Sequence, residues 1–134
     1  MLLRSEVLFV GCPCHSGLEY SGCCQPYHLG KAAPTALALM RSRYAAYALG
    51  AVDYLIDTTH RDNEQFNPHR AAWRRQLLAY CEATAFEGLE IVRDTPGAQE
   101  SFVCFEARLR DGERGEVFVL RENSRFVKPG KRWL

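Results

Sequence analysis

SFVCFEARLRDG, residues 101–112, is the stretch whose reading decides the fold. Val103, Phe105, Ala107 and Leu109 recur at every second position, which puts them on one face of a strand, and Asp111-Gly112 supplies the turn chemistry of a hairpin. The same period continues on both sides. Upstream, from Phe86, Leu89 and Ile91 share one face of a strand that ends before Thr95-Pro96-Gly97. Downstream, Val117, Phe118, Val119 and Leu120 begin a third strand reaching about Val127. Pro129-Gly130 and Arg132-Trp133-Leu134 then open a fourth just as the sequence stops, which leaves either a truncated chain or an unusually short last strand.

Before Phe86 the period changes from two to between three and four. Pro34 opens a stretch in which Leu37, Met40, Tyr44 and Tyr47 form one face of a helix, closed by Gly50. Asp53-Tyr54-Leu55-Ile56 predicts a second, short helix running to about His60. Asn67 is a good N-cap with Pro68 at the first helical position, and Trp73, Leu77, Tyr80 and Thr84 lie along one side of a third helix. Helices first and an antiparallel meander afterwards predict an α+β domain, with the helices on one face of a curved sheet.

The composition agrees with one soluble globular domain: 134 residues, 47% hydrophobic, with 17 Lys+Arg against 16 Asp+Glu. That balance excludes a disordered tail, a collagen-like repeat and a polytopic membrane protein. A formal charge of +1 supplies no general pull towards phosphate backbones or anionic lipid. Arg121, Arg125, Lys128, Lys131 and Arg132 against Glu122 make a local basic end, but without interleaved aromatics it reads as protection of a strand edge rather than a nucleic-acid footprint. The opening MLLRSEVLFVG is interrupted by Arg4 and Glu6, so its apolar run is too short for an export signal, and no later stretch is long enough for a membrane span. The expected compartment is the cytoplasm, where clustered cysteines indicate metal or redox chemistry.

Six cysteines are the compositional anomaly. Cys81 and Cys104 sit in helix and strand patterns and read as buried, inert thiols. Cys12, Cys14, Cys23 and Cys24 form two short pairs joined by a loop. Zinc takes four soft ligands at the corners of a tetrahedron about 2.3 Å away, and two knuckles of this kind each contribute a preformed pair. Pro13 stiffens the first pair, while Gly17 and Gly22 permit the turns around it. The alternatives are disulfides and apolar packing. A Cys-X-Cys bridge and a bridge between adjacent cysteines both close very small rings, which favours the metal.

CPCHSGLEYSGCC, residues 12–24, closely resembles the SEC-C motif of the carboxyl end of the SecA translocation ATPase: Cys-X-Cys, usually Gly-Ser-Gly, an aromatic, then Cys-Cys or Cys-His. MRSRYAAY (40–47), DYLIDTTH (53–60) and ENSRF (122–126) resemble the YchJ family of bacterial proteins of uncharacterised activity, which couples a SEC-C motif to a nuclear transport factor 2-like domain. The resemblance implies a SEC-C zinc-binding motif over 1–30 and, over 31–134, a nuclear transport factor 2-like (cystatin-like) cone of helices on a curved antiparallel sheet. It also implies Zn2+ held by Cys12, Cys14, Cys23 and Cys24. His15 departs from the pattern, standing where the motif usually has glycine, and both His15 and His28 are close enough in sequence to compete as ligands.

In the nuclear transport factor 2-like fold the space between helices and sheet hosts enzymes, subunit interfaces or nothing, so the fold does not settle function. Candidate cavity or ligand residues are Arg41, Tyr54, Asp57, His60 and Glu106, with Asp57 and His60 spaced as a dyad on one helical face. Glu106 alternates with the apolar series and is expected on the opposite face of its strand. One of Arg41 and Arg43 is expected to pair with a carboxylate, Asp53 or Glu82, and the other to meet a ligand or protein. No nucleophile, base and orienting group stand together, so the first expectation is a non-enzymatic zinc module for a protein partner, monomeric or homodimeric. By the SecA resemblance that partner is a chaperone, an exported-protein factor or the ribosome. The other expectation is a small-molecule binder or enzyme. An open polar cavity favours it, and one plugged by Tyr44, Phe105 and Trp73 removes it.

Overall fold

A computed structural model describes residues 11–134. The interrupted apolar run at residues 1–10, and with it the start of the segment assigned to the SEC-C motif, lies outside the described residues. A 3-10 turn at Tyr20–Gly22 leads into helices α1 (Gln25–His28), α2 (Ala36–Leu49), α3 (Val52–Asp57) and α4 (Arg70–Ala83). Strands β1 (Thr84–Thr95), β2 (Glu100–Asp111) and β3 (Val117–Val127) follow. The sheet order is β1-β2-β3, antiparallel throughout, so the α+β meander expected from the period change is the observed architecture.

β2 is the central strand, and its inner face is the sequence alternation made solid: Val103, Phe105, Ala107 and Leu109 are all buried. They meet Leu39, Met40 and Tyr44 of α2, together with Phe126 and Trp133, in the main apolar core. Full burial of each large aliphatic or aromatic side chain stabilises the fold by about 1.5–3 kcal/mol. Register shifts at Phe86/Gly88 and Ile91/Arg93 bulge β1 and curve the sheet around α2. The Tyr44 hydroxyl donates to the Gly88 carbonyl at 2.8 Å, satisfying the backbone at the first bulge. At the β2 turn Gly112 donates to the Ala83 carbonyl at 2.7 Å, and a Cβ there would stand 2.8 Å from that oxygen, so the close approach requires glycine.

α2 starts where Thr35 accepts the Ala38 N–H at 3.0 Å and stops at Gly50, whose φ of +74° lets Ala51 N–H reach the Ala46 carbonyl at 2.8 Å. Its buried set departs from the expected stripe, with Met40 and Tyr44 buried but Leu37 and Tyr47 only partly so. Ser42, Ala45 and Ala46 are buried as completely as Leu39, because α2 is covered from more than one side. α3 ends at Asp57 rather than near His60. The Thr58 and Thr59 hydroxyls donate to the carbonyls of Tyr54 and Leu55, each at 2.7 Å, and so satisfy the last turn. α4 also starts later than expected. The Asn67 carboxamide oxygen accepts from His69 N–H at 2.9 Å in an Asx turn, and His69 is the cap residue. Of the predicted α4 stripe only Trp73 is buried, and Thr84 already belongs to β1.

There is no fourth strand among the described residues. Trp133 instead turns back into the core, and Leu134 and Val127 exchange two backbone hydrogen bonds at 3.1 and 2.9 Å. The basic end is partly neutralised on the sheet, where Arg121 pairs with Glu106 at 2.7 Å and Arg125 pairs with Glu100. Cys81 and Cys104 are buried, Cys104 on the outer face of β2 beside Arg121. Among the described residues no helix is long and apolar enough to cross a membrane.

Candidate metal centre

Two backbone turns bring four thiols together. His15 N–H bonds to the Cys12 carbonyl at 3.0 Å, closing the first pair into a tight turn, and Cys12 N–H to the Leu18 carbonyl at 2.8 Å folds the loop back. The second pair stands at the entrance to α1, where the Cys24 carbonyl accepts from both Tyr27 and His28 at 3.1 Å. The Sγ atoms of Cys12, Cys14, Cys23 and Cys24 all lie within 4.8 Å of one another. Four sulfurs about 2.3 Å from one tetrahedral ion stand roughly 3.8 Å apart. Cys14–Cys23 at 3.6 Å and Cys23–Cys24 at 3.9 Å have that spacing, so the donor set fits a thiophilic tetrahedral ion.

Protons are shared unevenly within the cluster. Cys14, with no exposed surface, is held down to about 4, first because the Cys24 thiol hydrogen-bonds to it and further by Ser16, Cys12 and Cys23. Burial works against that and is outweighed. Cys12 is pushed up to about 11, chiefly by burial, and Cys24 is raised by its bond to Cys14 and then by burial. Without an ion the Cys14 thiolate is therefore held by the protonated thiols of Cys12 and Cys24.

A polar chain seats this knuckle on α2. The Ser42 carbonyl can only accept, so His28 Nε2, 2.7 Å away, carries the hydrogen and donates. His28 Nδ1 then accepts from the Tyr20 hydroxyl at 2.6 Å. Both ring nitrogens are committed, which takes His28 out of the ligand set. The Ser42 hydroxyl donates to Leu39 at 2.9 Å and accepts from the Tyr54 hydroxyl at 2.7 Å. Arg41 is the other anchor. Its Nη1 donates to the Cys14 carbonyl at 3.1 Å and lies 3.9 Å from the Cys14 sulfur, setting a positive charge against thiolates.

Residues 35–134 match the family model described as YchJ, middle NTF2-like domain. The chain belongs to the YchJ family. A UPF0225 protein of Serratia proteamaculans is 44% identical over 125 residues, covering 91% of this chain and 78% of the relative. One of Pectobacterium carotovorum is 45% identical over 129 residues, with the same coverage. Among solved structures, the solution structure of a SEC-C motif containing protein from Rhodopseudomonas palustris aligns with a TM-score of 0.75 at 35% identity, over 92% of this chain and 93% of that one. The crystal structure of a SEC-C motif containing protein from Psychrobacter arcticus aligns at 0.73 and 28% identity, over 91% and 77%. Together these similarities agree with the resemblance carried by residues 12–24.

In this YchJ-family chain the departure at His15 has a structural consequence. His15 is the one non-glycine residue with positive φ, +62°, among those described. Its ring stands away from the sulfurs, with Nε2 3.4 Å from the Phe86 carbonyl and the centroid 5.8 Å from that of Tyr44. His15→Gly is expected to leave metal-loaded stability within about 1 kcal/mol of the parent, because relief of the left-handed backbone offsets the lost contacts. His15→Val, β-branched at that φ, should cost about 1–2 kcal/mol. Thermal unfolding of both variants checks this, and a valine variant as stable as the parent would contradict it.

The other sequence candidates scatter. Arg41 serves the cysteine cluster, not the cavity, and Tyr54 spends its hydroxyl on Ser42. Asp57 and His60 form no dyad, since α3 has ended between them. Asp57 pairs with Arg70 at 3.0 Å, while His60 Nδ1 accepts from Asp62 N–H at 3.0 Å. Glu106 faces outward to Arg121, as its place in the alternation implied. Neither arginine of α2 pairs with Asp53 or Glu82: Asp53 accepts from Arg70 and Arg74 at 3.2 and 3.1 Å. Between helices and sheet lies a wide-mouthed cavity of about 1160 Å³. Tyr44, Phe105 and Trp73 line its walls without filling it, His60 is the one predicted candidate it contains, and Arg43 projects there from α2.

Proposed function

We propose that this chain is a zinc-binding protein-interaction module whose metal is structural. The observation that carries the reading is the four-thiol cluster. Four cysteinates complete a tetrahedron and leave no position for water or substrate, and soft thiolates at this spacing select zinc among abundant divalent ions. The metal's task is then to hold the backbone of residues 11–28 in one shape. That shape displays Leu18 and Leu29, 57% and 79% exposed, on a rigid base. These two exposed leucines are the apolar contacts that the knuckle offers a protein partner. The SEC-C neighbours support the metal, and thiols that stay reduced favour a cytoplasmic setting. By likeness to the SecA motif, the partner is a chaperone, an exported-protein factor or the ribosome.

Two measurements test this. Protein purified without chelator should carry about one equivalent of zinc per chain, lost in Cys23→Ser. Affinity capture from its own cells should recover a protein with the parent chain and lose it with a Leu18→Ser/Leu29→Ser variant that still holds its zinc. A metal-free cluster, or a disulfide within it, would sink the metal reading. Equal capture by both proteins would sink the interaction reading.

A further inference from the structure

Arg43 is a cationic side chain of α2 that the fold meets with neutral oxygens rather than with a carboxylate. On α2, Met40, Arg43, Tyr44 and Tyr47 occupy one face at helical spacing, and all four line the 1160 Å³ cavity. Among the described residues no carboxylate lies within 4.0 Å of the Arg43 guanidinium. Its Nη1 donates to three neutral oxygens: the Leu55 carbonyl at 2.9 Å and the Thr58 and Thr59 hydroxyls at 2.6 and 3.3 Å. Both threonine hydroxyls have their hydrogens committed to α3 carbonyls, so towards Arg43 they can only accept. One nitrogen of the fork is thereby clamped at the end of α3, while no hydrogen bond to protein engages Nε or Nη2 among the described residues.

A guanidinium partly withdrawn from water is costly unless a negative charge answers it, and desolvation of the half-buried Arg43 pulls its pKa down against the opposing pull of Tyr47, Tyr54 and Glu122. Glu122 on the same wall acts on Arg43 only from beyond ion-pair distance, and the wall elsewhere presents Met40, Tyr47, Trp73, Leu77 and Phe105. A fixed planar fork with two free donor positions matches a carboxylate, and the aromatic wall matches an apolar body. Asp62, Glu122 and Arg125 also line the cavity, so its two arginines are already matched by two carboxylates, a balance that accepts one ligand charge more readily than two.

We propose that the cavity is a binding site for a small amphipathic monocarboxylate, with Arg43 as its anchor and the Tyr47 and Trp73 rings against its apolar body. No cysteine of the cluster lines this cavity.

The test uses metal-loaded, isotope-labelled protein titrated with 2-naphthoate, 2-naphthamide and inorganic phosphate, followed through the Trp73 indole and Arg43 Nε–H resonances. Naphthoate should shift both saturably in the millimolar range or below. The neutral amide should bind about tenfold or more weakly, having lost the charge-assisted hydrogen bonds. Phosphate should give no saturable shift. Arg43→Gln should abolish the preference for acid over amide, and Arg43→Lys should retain part of it. Because Arg43 also holds the end of α3, the comparison of acid with amide on the parent protein stands even if the glutamine variant does not fold. Equal binding of acid and amide, saturable binding of phosphate alone, or no saturable shift with naphthoate would each overturn the proposal.

Discussion

Replacing Cys14 by serine is expected to abolish metal binding and melt residues 11–28 while the sheet and α2 stay folded. Serine keeps the shape of the site but not the soft thiolate, so the change falls on the coordination bond. Cys14 is the member to remove because it is wholly buried at the centre of the cluster and is the sulfur towards which Arg41 points. The knuckle has little else to hold it. Its apolar cluster consists of Cys12, Cys14, Cys24 and Ala45, with Tyr20 and Cys23 packed against them, and three of the four buried members are themselves proposed ligands. Metal binding of the order of 10–16 kcal/mol is what folds small sites of this type. The main core shares no residue with that cluster, so its loss removes the cover over Ala45, the hydrogen bonds through Ser42 and Arg41, and the ring contacts of His15 with Tyr44 and of His28 with Tyr54, but no member of the core itself. A loss of about 2–4 kcal/mol from the remaining domain is the expected cost of uncovering them. Metal content should fall from about one equivalent to near zero. Amide exchange should accelerate throughout 12–28 and stay slow at Val103, Phe105 and Leu109. A variant that keeps its metal, or one whose sheet exchanges as freely as its knuckle, would contradict this.

What the sequence made legible follows from how strongly each pattern is enforced. The β2 alternation is readable because one face is packed on α2 and a slip of one residue would expose all of Val103, Phe105, Ala107 and Leu109. The cysteine pairs are readable because four thiols in two short pairs are the pattern a tetrahedral metal site asks for, and neither apolar packing nor small-ring disulfides explain it. The α2 stripe was half visible. Ala45, Ala46 and Ser42 are as buried as Leu39, but small side chains raise no hydrophobic signal. Helix ends were misplaced where a hydroxyl or carboxamide intervened, as Thr58 and Thr59 do after α3 and Asn67 before α4. The cavity was the least legible part. Arg41 and Arg43 look equivalent in MRSRYAAY, yet they point roughly 200° apart on the helix, and only the packing shows which meets the cysteines and which the cavity. Charge alone suggested carboxylate partners for them, whereas the structure supplies carbonyls and hydroxyls.

Metal affinity should climb steeply with pH, by about a hundredfold per unit around neutrality, and the proton distribution in the cluster gives both the sign and the size. At pH 7 the metal-free cluster keeps protons on Cys12, pushed up to about 11, and on Cys24, also raised. Coordination requires thiolates, so at least these two protons leave when the ion enters. Each proton released makes affinity rise about tenfold per pH unit. Cys14, held down to about 4, is already ionised at neutral pH and adds nothing to the slope there. It begins to contribute only as the pH falls towards its own value, where affinity drops more steeply still. The stability that the metal confers on residues 11–28 is accordingly full at alkaline pH and lost as the solution is acidified. Arg41→Met separates charge from protons. It removes the cation beside the Cys14 sulfur and should weaken binding about tenfold while leaving the slope unchanged, because it alters the charge balance and not the number of protons displaced. Competition against a chelator at pH 6, 7 and 8, corrected for the chelator's own protonation, measures both quantities. A slope of one proton or fewer would mean that the thiols of Cys12 and Cys24 do not hold the protons assigned to them.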